Sequence, residues 1–541
     1  MERYKKHTSC EASIASTVNG VSGQANIADM WHDHFKNLLN SSQCISNKPY
    51  VLDAINSINN NNYLNRITPG EILDAFNNLK LGKSPGLDGL YAEHFKFASD
   101  KLSVLLSIIM NAMLIHGHLP SKFMETVILP IIKNKRGDIT NKDNYRPIAI
   151  TNVFSKVFEA VLLHRYSALL VTTDNQFGFR NNHSTDMCMF AFQQVVDLYV
   201  SMNSPVYICY LDASKAFDRI NHWTLFKKLL HRSIPVVIIR IIMYWYTQQT
   251  FVVQWGSYLS SSFMCSNGVR QGGILSPIFF NIYVDELSCS LTNLKTGCNI
   301  NNIFINHFMY ADDTVLIAPS PVALQKLIKC CLNFAKNNDM LFNTKKSVCM
   351  FVKSKKLKDL VPPEFLLDDY VLKYVVKEKY LGFIMSNDCK SDLDINRQMR
   401  SIYGRGNIII SSFKHCTVNV KIQLFKTFCC NFYGDHLWHS FKKRSYGKIK
   451  IAFKKIYRYL MNLDRYASIT SHMVNLNIDY FDVLLRKSIY TTSKSVCFIQ
   501  KMLLLVLLLI LCYVLIVHYT LGGIKLFIHN FPSHIYRCSD C

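Results

Sequence analysis

The stretch Phe308-Met309-Tyr310-Ala311-Asp312-Asp313-Thr314-Val315-Leu316-Ile317 constrains this chain more than any other. Two adjacent carboxylates interrupt two apolar, β-prone runs, which predicts a strand, a tight turn and a second strand. Within a strand, neighbouring side chains point to opposite faces, so a turn is one of few places that presents two successive aspartates together. Like charges held that close repel unless a cation sits beside them, and a divalent metal ion is the natural companion. A solvated Asp-Asp turn reads the same way in isolation, so the rest of the chain has to decide.

A second acidic position bears on that choice. Tyr207-Ile208-Cys209-Tyr210-Leu211 is a short apolar strand that delivers Asp212 at its end. If the two strands are neighbours, Asp212, Asp312 and Asp313 meet at one point. An all-oxygen, anionic set of this kind suits a hard cation, with Mg²⁺ the physiological choice. Two such ions, roughly 3.5–4 Å apart, stabilise the attacking and leaving oxygens of an in-line phosphoryl displacement. Taken alone, Asp212 reads equally well as a strand-end helix cap.

Charge points the same way. Sixty-one Lys and Arg against 37 Asp and Glu give a net charge of +24. Such an excess suits a polyanionic partner, nucleic acid first and an acidic membrane surface second. Aromatic residues make up 12% of the chain and are available for base stacking or for ordinary core. The 18 cysteines are scattered and no secretory signal precedes them, which argues for reduced thiols inside the cell and against a disulfide-built secreted domain. Cys538 and Cys541, with His534 nearby, lack the two further spaced ligands of a zinc site and read as tail. At 541 residues the chain has room for two or three domains.

The first 75 residues are polar and Asn-rich apart from an amphipathic patch around Ala28–Leu39 (Met30, Trp31, Phe35, Leu38, Leu39). Ile72, Leu73, Phe76 and Leu79 form a helical stripe that breaks at Leu81-Gly82-Lys83-Ser84-Pro85-Gly86-Leu87-Asp88-Gly89. Leu102–Ile115 predicts a buried helix. Thr126–Ile132 predicts a strand that ends at Lys133, and Asn144-Tyr145-Arg146-Pro147-Ile148 opens the returning strand. Lys133 and Arg146 would flank one hairpin tip, a geometry suited to a triphosphate, though two solvated basic residues read alike. Gln176-Phe177-Gly178-Phe179-Arg180 leads into His183-Ser184-Thr185, which can cap a helix over Asp186–Val200. Gly268-Val269-Arg270-Gln271-Gly272-Gly273-Ile274-Leu275-Ser276-Pro277 is a glycine-rich loop feeding a helix over Pro277–Leu291. Val322–Ala335 predicts another amphipathic helix, and Tyr370–Val376 with Tyr380–Ile384 predicts a hairpin. From about Asn387 the chain turns helical and basic, with Lys442, Lys443, Arg444, Lys448, Lys450, Lys454, Lys455 and Arg458 close together.

In this order the motifs resemble those of reverse transcriptases of non-LTR (LINE-type) retrotransposons. Lys83–Gly89 is similar to the family's N-terminal extension loop, and the segments Asn144–Ile148 and Gln176–Arg180 to its finger motifs. Leu211-Asp212-Ala213-Ser214-Lys215-Ala216-Phe217-Asp218 resembles motif A, Gly268–Pro277 motif B, and Tyr310-Ala311-Asp312-Asp313 motif C. Asn343 with Lys346 resembles motif D, and Tyr380-Leu381-Gly382 motif E. The resemblance is close over about 75–390 and weaker to about 490.

It implies an α+β right-hand polymerase of fingers, palm and thumb, with an antiparallel palm sheet packed on helices, that copies RNA into DNA. The implied layout is a linker or extension at 1–75, fingers and palm at 76–386, a basic helical thumb at 387–500 and a hydrophobic tail at 501–541. Asp212 and Asp312 would be the main ligands of two Mg²⁺ ions (Mn²⁺ as a substitute), with the Ala213 carbonyl assisting and Asp313 nearby. Phe217 matches the steric gate that rejects a ribose 2′-hydroxyl. Gln271 and Gly272 would lie along the nucleotide and template base, Lys133 and Arg146 would bind the triphosphate, and Lys346 would protonate the pyrophosphate. The basic helices would follow an RNA–DNA hybrid by its phosphates. The implied partners are an RNA template, a DNA primer and dNTPs, in a nuclear or cytoplasmic ribonucleoprotein. A folded but catalytically idle RNA-binding relic is the alternative.

Two features depart from the family. Such elements usually encode an endonuclease, and this sequence contains none, so the expected activity is primer extension on a supplied end. Met502–Ile524 carries no formal charge and is long and apolar enough to span a bilayer. A membrane anchor and a frame-shifted, decayed tail are both readings of it.

Overall fold

The computed structural model describes residues 15–497 except 42–44, 58–64, 136, 354–360 and 465, with the backbone alone at 493–497. In chain order, the elements that position the site begin with helix α1 (Gln24–Leu38) and strands β1 (Glu125–Ile132) and β2 (Tyr145–Thr151). Helices α2 (Val153–Tyr166) and α3 (Thr185–Ser201) then lead to strand β3 (Val206–Asp212) and strand β4 (Thr250–Trp255). Helix α4 (Ser276–Asn293) precedes the hairpin β5 (His307–Tyr310) and β6 (Asp313–Ala318). Helix α5 (Pro321–Asn337), strands β7 (Val348–Val352) and β8 (Lys373–Tyr374), and helices α6 (Asp392–Ser412) and α7 (Lys443–Leu460) complete the set.

The central sheet runs β5-β6-β3-β7-β8, antiparallel except for the β7–β8 pair. Period-two alternation sends the side chains of β3 into two different cores. Tyr207, Cys209 and Leu211 join Phe158 of α2, Phe280 of α4 and Leu327 of α5. Val206, Ile208 and Tyr210 join Phe192 of α3, Ile395 of α6 and Phe453 of α7. A strand covered on both faces needs apolar residues at every position, which is why this segment reads as a continuous greasy run. Asp212 stands at its end, where the cover stops.

A second sheet pairs β2 with β1 antiparallel and β1 with β4 parallel. Helix α1 lies on it through Trp31, fully buried against Tyr145 and Trp255 at ring-centroid distances of 5.0 and 6.1 Å. The amphipathic patch at Ala28–Leu39 is this contact.

Two sequence expectations need correction. The helix expected over Leu102–Ile115 forms at Lys101–His116, but it is not buried all round. Its inner face packs Leu106, Met110, Met113 and Leu114, while Val104, Leu105, Ile108 and Ile115 are exposed by 48 to 64%. An apolar sequence without periodicity does not say which faces find neighbours. The hairpin expected between Tyr370–Val376 and Tyr380–Ile384 does not form either. Tyr370–Val371 pairs with Leu366–Leu367, β8 joins β7, and the hairpin is Lys377–Tyr380 with Phe383–Ser386. The chain passes from one partner to the next, and partner choice is a long-range property.

No helix among the described residues is long and apolar enough to cross a membrane. Met502–Ile524 and the Cys538/Cys541 pair lie outside the described residues.

Candidate active site

Antiparallel register sets the geometry. Asp212, the last residue of β3, is paired with Asp313, the first of β6, and the ladder continues Leu211–Thr314 and Tyr210–Val315. Directly opposed residues of such a pair have Cβ atoms about 4.5–5.5 Å apart. Asp313 also opposes Tyr310, which leaves Ala311 and Asp312 as a two-residue turn. Asp212 is fixed from both sides: its N–H donates to Ser347 Oγ at 3.2 Å and its C=O accepts from the Asn343 N–H at 2.8 Å. Ala213 follows in a bridge with Phe342.

Asp312 and Asp313 are both harder to ionise than ordinary aspartates. Desolvation in the cleft is the larger cause for each, followed by neighbouring carboxylates, and Asp313 is raised to about 6 although its surface stays open to solvent. Arg146 pulls both in the other direction.

The expectation that three acids meet at one point holds for the backbone and not yet for the oxygens. Among the described residues no trio of His, Cys, Asp or Glu is close enough to hold a metal ion as the side chains stand. Carboxylates brought side by side repel one another unless a cation lies among them. The donor set nonetheless fits a divalent ion. It is all oxygen and anionic, and the backbone register sets Asp212 directly opposite Asp313 with Asp312 in the adjoining turn.

Basic groups face the acids. Lys346 places its ammonium 3.9 Å from Asp212 Oδ2. Lys133 lies where β1 ends and Arg146 in β2 opposite Ile131, so both belong to one hairpin. Lys133 is more easily deprotonated than a free lysine, through desolvation and then through Arg146, Lys346 and Lys215. The expected triphosphate pair therefore stands within electrostatic reach of the lysine expected at the pyrophosphate.

Phe217 is half-buried, stacked on Phe280 at 4.4 Å and edge-on to Phe179 at 6.0 Å. Gln271 turns its amide inward, donating to Asp218 Oδ1 at 2.8 Å, while its C=O accepts from the Ala149 N–H at 2.9 Å. Gly272 beside it, at φ +144°, comes so near that a Cβ would lie 2.3 Å from the Ala149 carbonyl oxygen. Only glycine fits there.

Sequence reasoning missed Lys215, which belongs to the same basic group, and Ser347, which ties down Asp212. It also missed what Gln176 does. The side chain of this residue accepts from the Ala311 N–H at 2.9 Å and donates to the Ala311 C=O at 3.3 Å. Lys215 carried a signal, its place three residues after Asp212; the other two contacts bridge 135 residues and carried none.

A family model described as reverse transcriptase (RNA-dependent DNA polymerase) matches residues 132–385. The RNA-directed DNA polymerase from the mobile element jockey of Drosophila melanogaster is 24% identical over 413 residues, covering 73% of this chain and 44% of that protein. The retrovirus-related Pol polyprotein from the type-2 retrotransposable element R2DM of the same fly is 29% identical over 281 residues, or 51% of this chain and 25% of that protein. The chain thus spans less than half the length of these relatives. Among solved structures, apo telomerase from Candida tropicalis, truncated from its C-terminal domain, overlaps 53% of this chain and 59% of its own, with 14% identity and a TM-score of 0.33.

Proposed function

From the premise that residues 132–385 are a reverse transcriptase domain of the non-LTR retrotransposon kind, we propose that the chain extends a DNA primer on an RNA template from dNTPs. The observation that carries the reading is the opposition of Asp212 and Asp313 across β3 and β6, with Asp312 in the adjoining turn. Asp212, Asp312, Asp313 and the Ala213 carbonyl would hold two Mg²⁺ ions. When bound, these supply charge neutralisation at the primer hydroxyl and the pyrophosphate leaving group.

The chain's own residues do the rest. Arg146 and Lys133, on one hairpin, grip the triphosphate, and the planar guanidinium offers paired donors to phosphate oxygens. Lys346 gives a proton to the departing pyrophosphate. The Phe217 ring, braced on Phe280, blocks the space that a ribose 2′-hydroxyl needs. Gln271 and Gly272 border the nucleotide and the template base. The basic face of α7 meets hybrid phosphates through charge, without sequence readout.

Incorporation of dNTPs on an RNA template with an annealed DNA primer tests this. Mg²⁺-dependent extension by the full chain, reduced to background in Asp312→Ala, is the expected outcome. Tight RNA binding without extension would replace the reading with that of an idle RNA-binding relic.

A further inference from the structure

The turn that carries Asp312 is built on a residue in an unfavourable conformation. With Tyr310 and Asp313 paired, Ala311 and Asp312 are the two central residues, and of these only Ala311 has a positive φ, +56°. A two-residue hairpin with positive φ at its first central position normally takes glycine there. An L-residue is disfavoured in the left-handed region, and it persists there only where its surroundings over-determine it. The Ala311 methyl is buried in the helix-facing core, which glycine would leave unfilled. The backbone penalty therefore has to be met by something else.

That something is a single side chain from a remote segment. Gln176 is 1% exposed and grips both polar groups of Ala311, its Oε1 accepting the N–H and its Nε2 donating to the C=O. The same Oε1 accepts from the Gly178 N–H at 2.9 Å, so the amide cannot swing away without losing a third bond. Main-chain bonds seat the segment alongside β5: Phe177 N–H to Met309 C=O at 2.8 Å and Met309 N–H to Asn175 C=O at 2.9 Å. Gly178 leaves no room for a Cβ, which would lie 2.3 Å from the Ala311 nitrogen. The two peptide planes flanking Ala311 are thereby fixed, and the second of them sets the direction of the Asp312 side chain.

We propose that Gln176 is a positioning residue for the metal-holding carboxylates, locking the Ala311 turn so that Asp312 and Asp313 face Asp212. This rests on the polymerase reading given above. An uncharged amide suits the task, since it fixes the peptide groups on both sides of Ala311 without adding a formal charge beside three carboxylates. Without the clasp Ala311 relaxes, the Ala311–Asp312 peptide reorients and the donors lose their common face.

The test is Mn²⁺ binding to the full chain without nucleic acid, followed by electron paramagnetic resonance, alongside the kinetics of primer extension. Gln176→Met keeps the length and burial of the side chain and removes all three of its hydrogen bonds. Loss of a group that orients metal ligands typically weakens metal affinity by about 10- to 100-fold, and that is the weakening expected here. In kinetics, kcat falls while KM for dNTP stays near wild type, because Lys133 and Arg146 are untouched. Asp312→Asn serves as the reference. If the wild type and Asp312→Asn bind Mn²⁺ alike, the metal-site reading itself fails. If Asp312→Asn loses binding and Gln176→Met keeps it, only the positioning role of Gln176 is overturned. Should Gln176→Met not fold, Gln176→Asn, which stays uncharged but is one methylene too short to make both contacts with Ala311, takes its place. Wild-type Mn²⁺ affinity in that variant overturns the proposal.

Discussion

Two backbone segments of this protein must be held in conformations that sequence alone would not favour, and they are held by opposite chemistries. The Ala311 turn is gripped by a neutral amide, that of Gln176. The glycine-rich loop over residues 268–277 is gripped by a salt bridge: Arg270 donates to Glu159 of α2, and Glu159 also accepts from the Ile274 N–H at 2.7 Å. Both side chains of that pair are 1% exposed, and the Arg270 guanidinium lies 4.0 Å from the centre of the Trp245 ring. The contrast follows from the local field. A formal charge at the turn would act directly on Asp312 and Asp313, whereas at the loop a closed ion pair is neutral as a unit and can lie in a dry core. The grip is charged where the charge can be cancelled and neutral where it would be felt.

The energetic contrast is testable. Breaking a buried pair strands the remaining charge, and this typically costs about 3–5 kcal/mol. Glu159→Gln should lower stability by that amount in chemical denaturation, the largest effect expected here. Replacing both partners, Glu159→Leu with Arg270→Met, should recover much of it. The amide clasp is worth less, since unmade bonds to a buried neutral group cost about 1–3 kcal/mol. Equal losses in Glu159→Gln and Gln176→Met would erase the distinction between the two grips.

Gly178→Ala sharpens the comparison from the steric side, because every hydrogen-bonding group of Gln176 stays in place. The added methyl would sit 2.3 Å from the Ala311 nitrogen, a backbone atom that cannot turn aside. Overpacking of this kind costs about 1–3 kcal/mol, and a displacement of about 1 Å at reacting groups can lower rates by about 100-fold. We expect a folded protein with a modestly lower melting temperature and at least tenfold weaker extension. Unchanged extension in a folded Gly178→Ala protein would mean that the turn tolerates movement.

Local patterns made the skeleton of the site legible. The apolar runs around Asp312-Asp313, the strand leading to Asp212 and the capped helix after Ser184 all form where the pattern puts them, with Ser184 Oγ accepting from the Met187 N–H. What stayed hidden depends on partners distant in sequence. Nothing near Gln176 indicates that it meets Ala311, and nothing in Tyr370–Val376 says that its residues divide between two sheets. Helix Lys101–His116 failed differently, because its apolar residues outnumber the neighbours available to cover them. Sequence periodicity reports how an element would like to be covered, and topology decides whether it is.

A third buried polar group extends the comparison and gives the smallest expected effect. Asp435 is 3% exposed, accepts from Ser488 Oγ, and has neither an amide clasp nor a closed ion pair. The His436 ring stands 3.9 Å away, but burial favours its neutral form. Burial, with the charge of Asp186 as a smaller cause, raises the Asp435 carboxyl to about 7, well above its value in an unfolded chain. Between about pH 4 and pH 7 the folded state therefore binds more protons than the unfolded state. Stability falls as pH rises through that window and is level above it. Asp435→Asn keeps an acceptor for Ser488 and cannot ionise. Relative to wild type it should be near neutral at about pH 4, the foot of that window, and more stable at pH 8, by about 1–2 kcal/mol once relaxation around the charged form is allowed for. Denaturation of both proteins at the two pH values checks this. A difference independent of pH would show that the carboxyl is already ionised throughout the window, and that burial without a charged partner is not a third way of holding an acid in this fold.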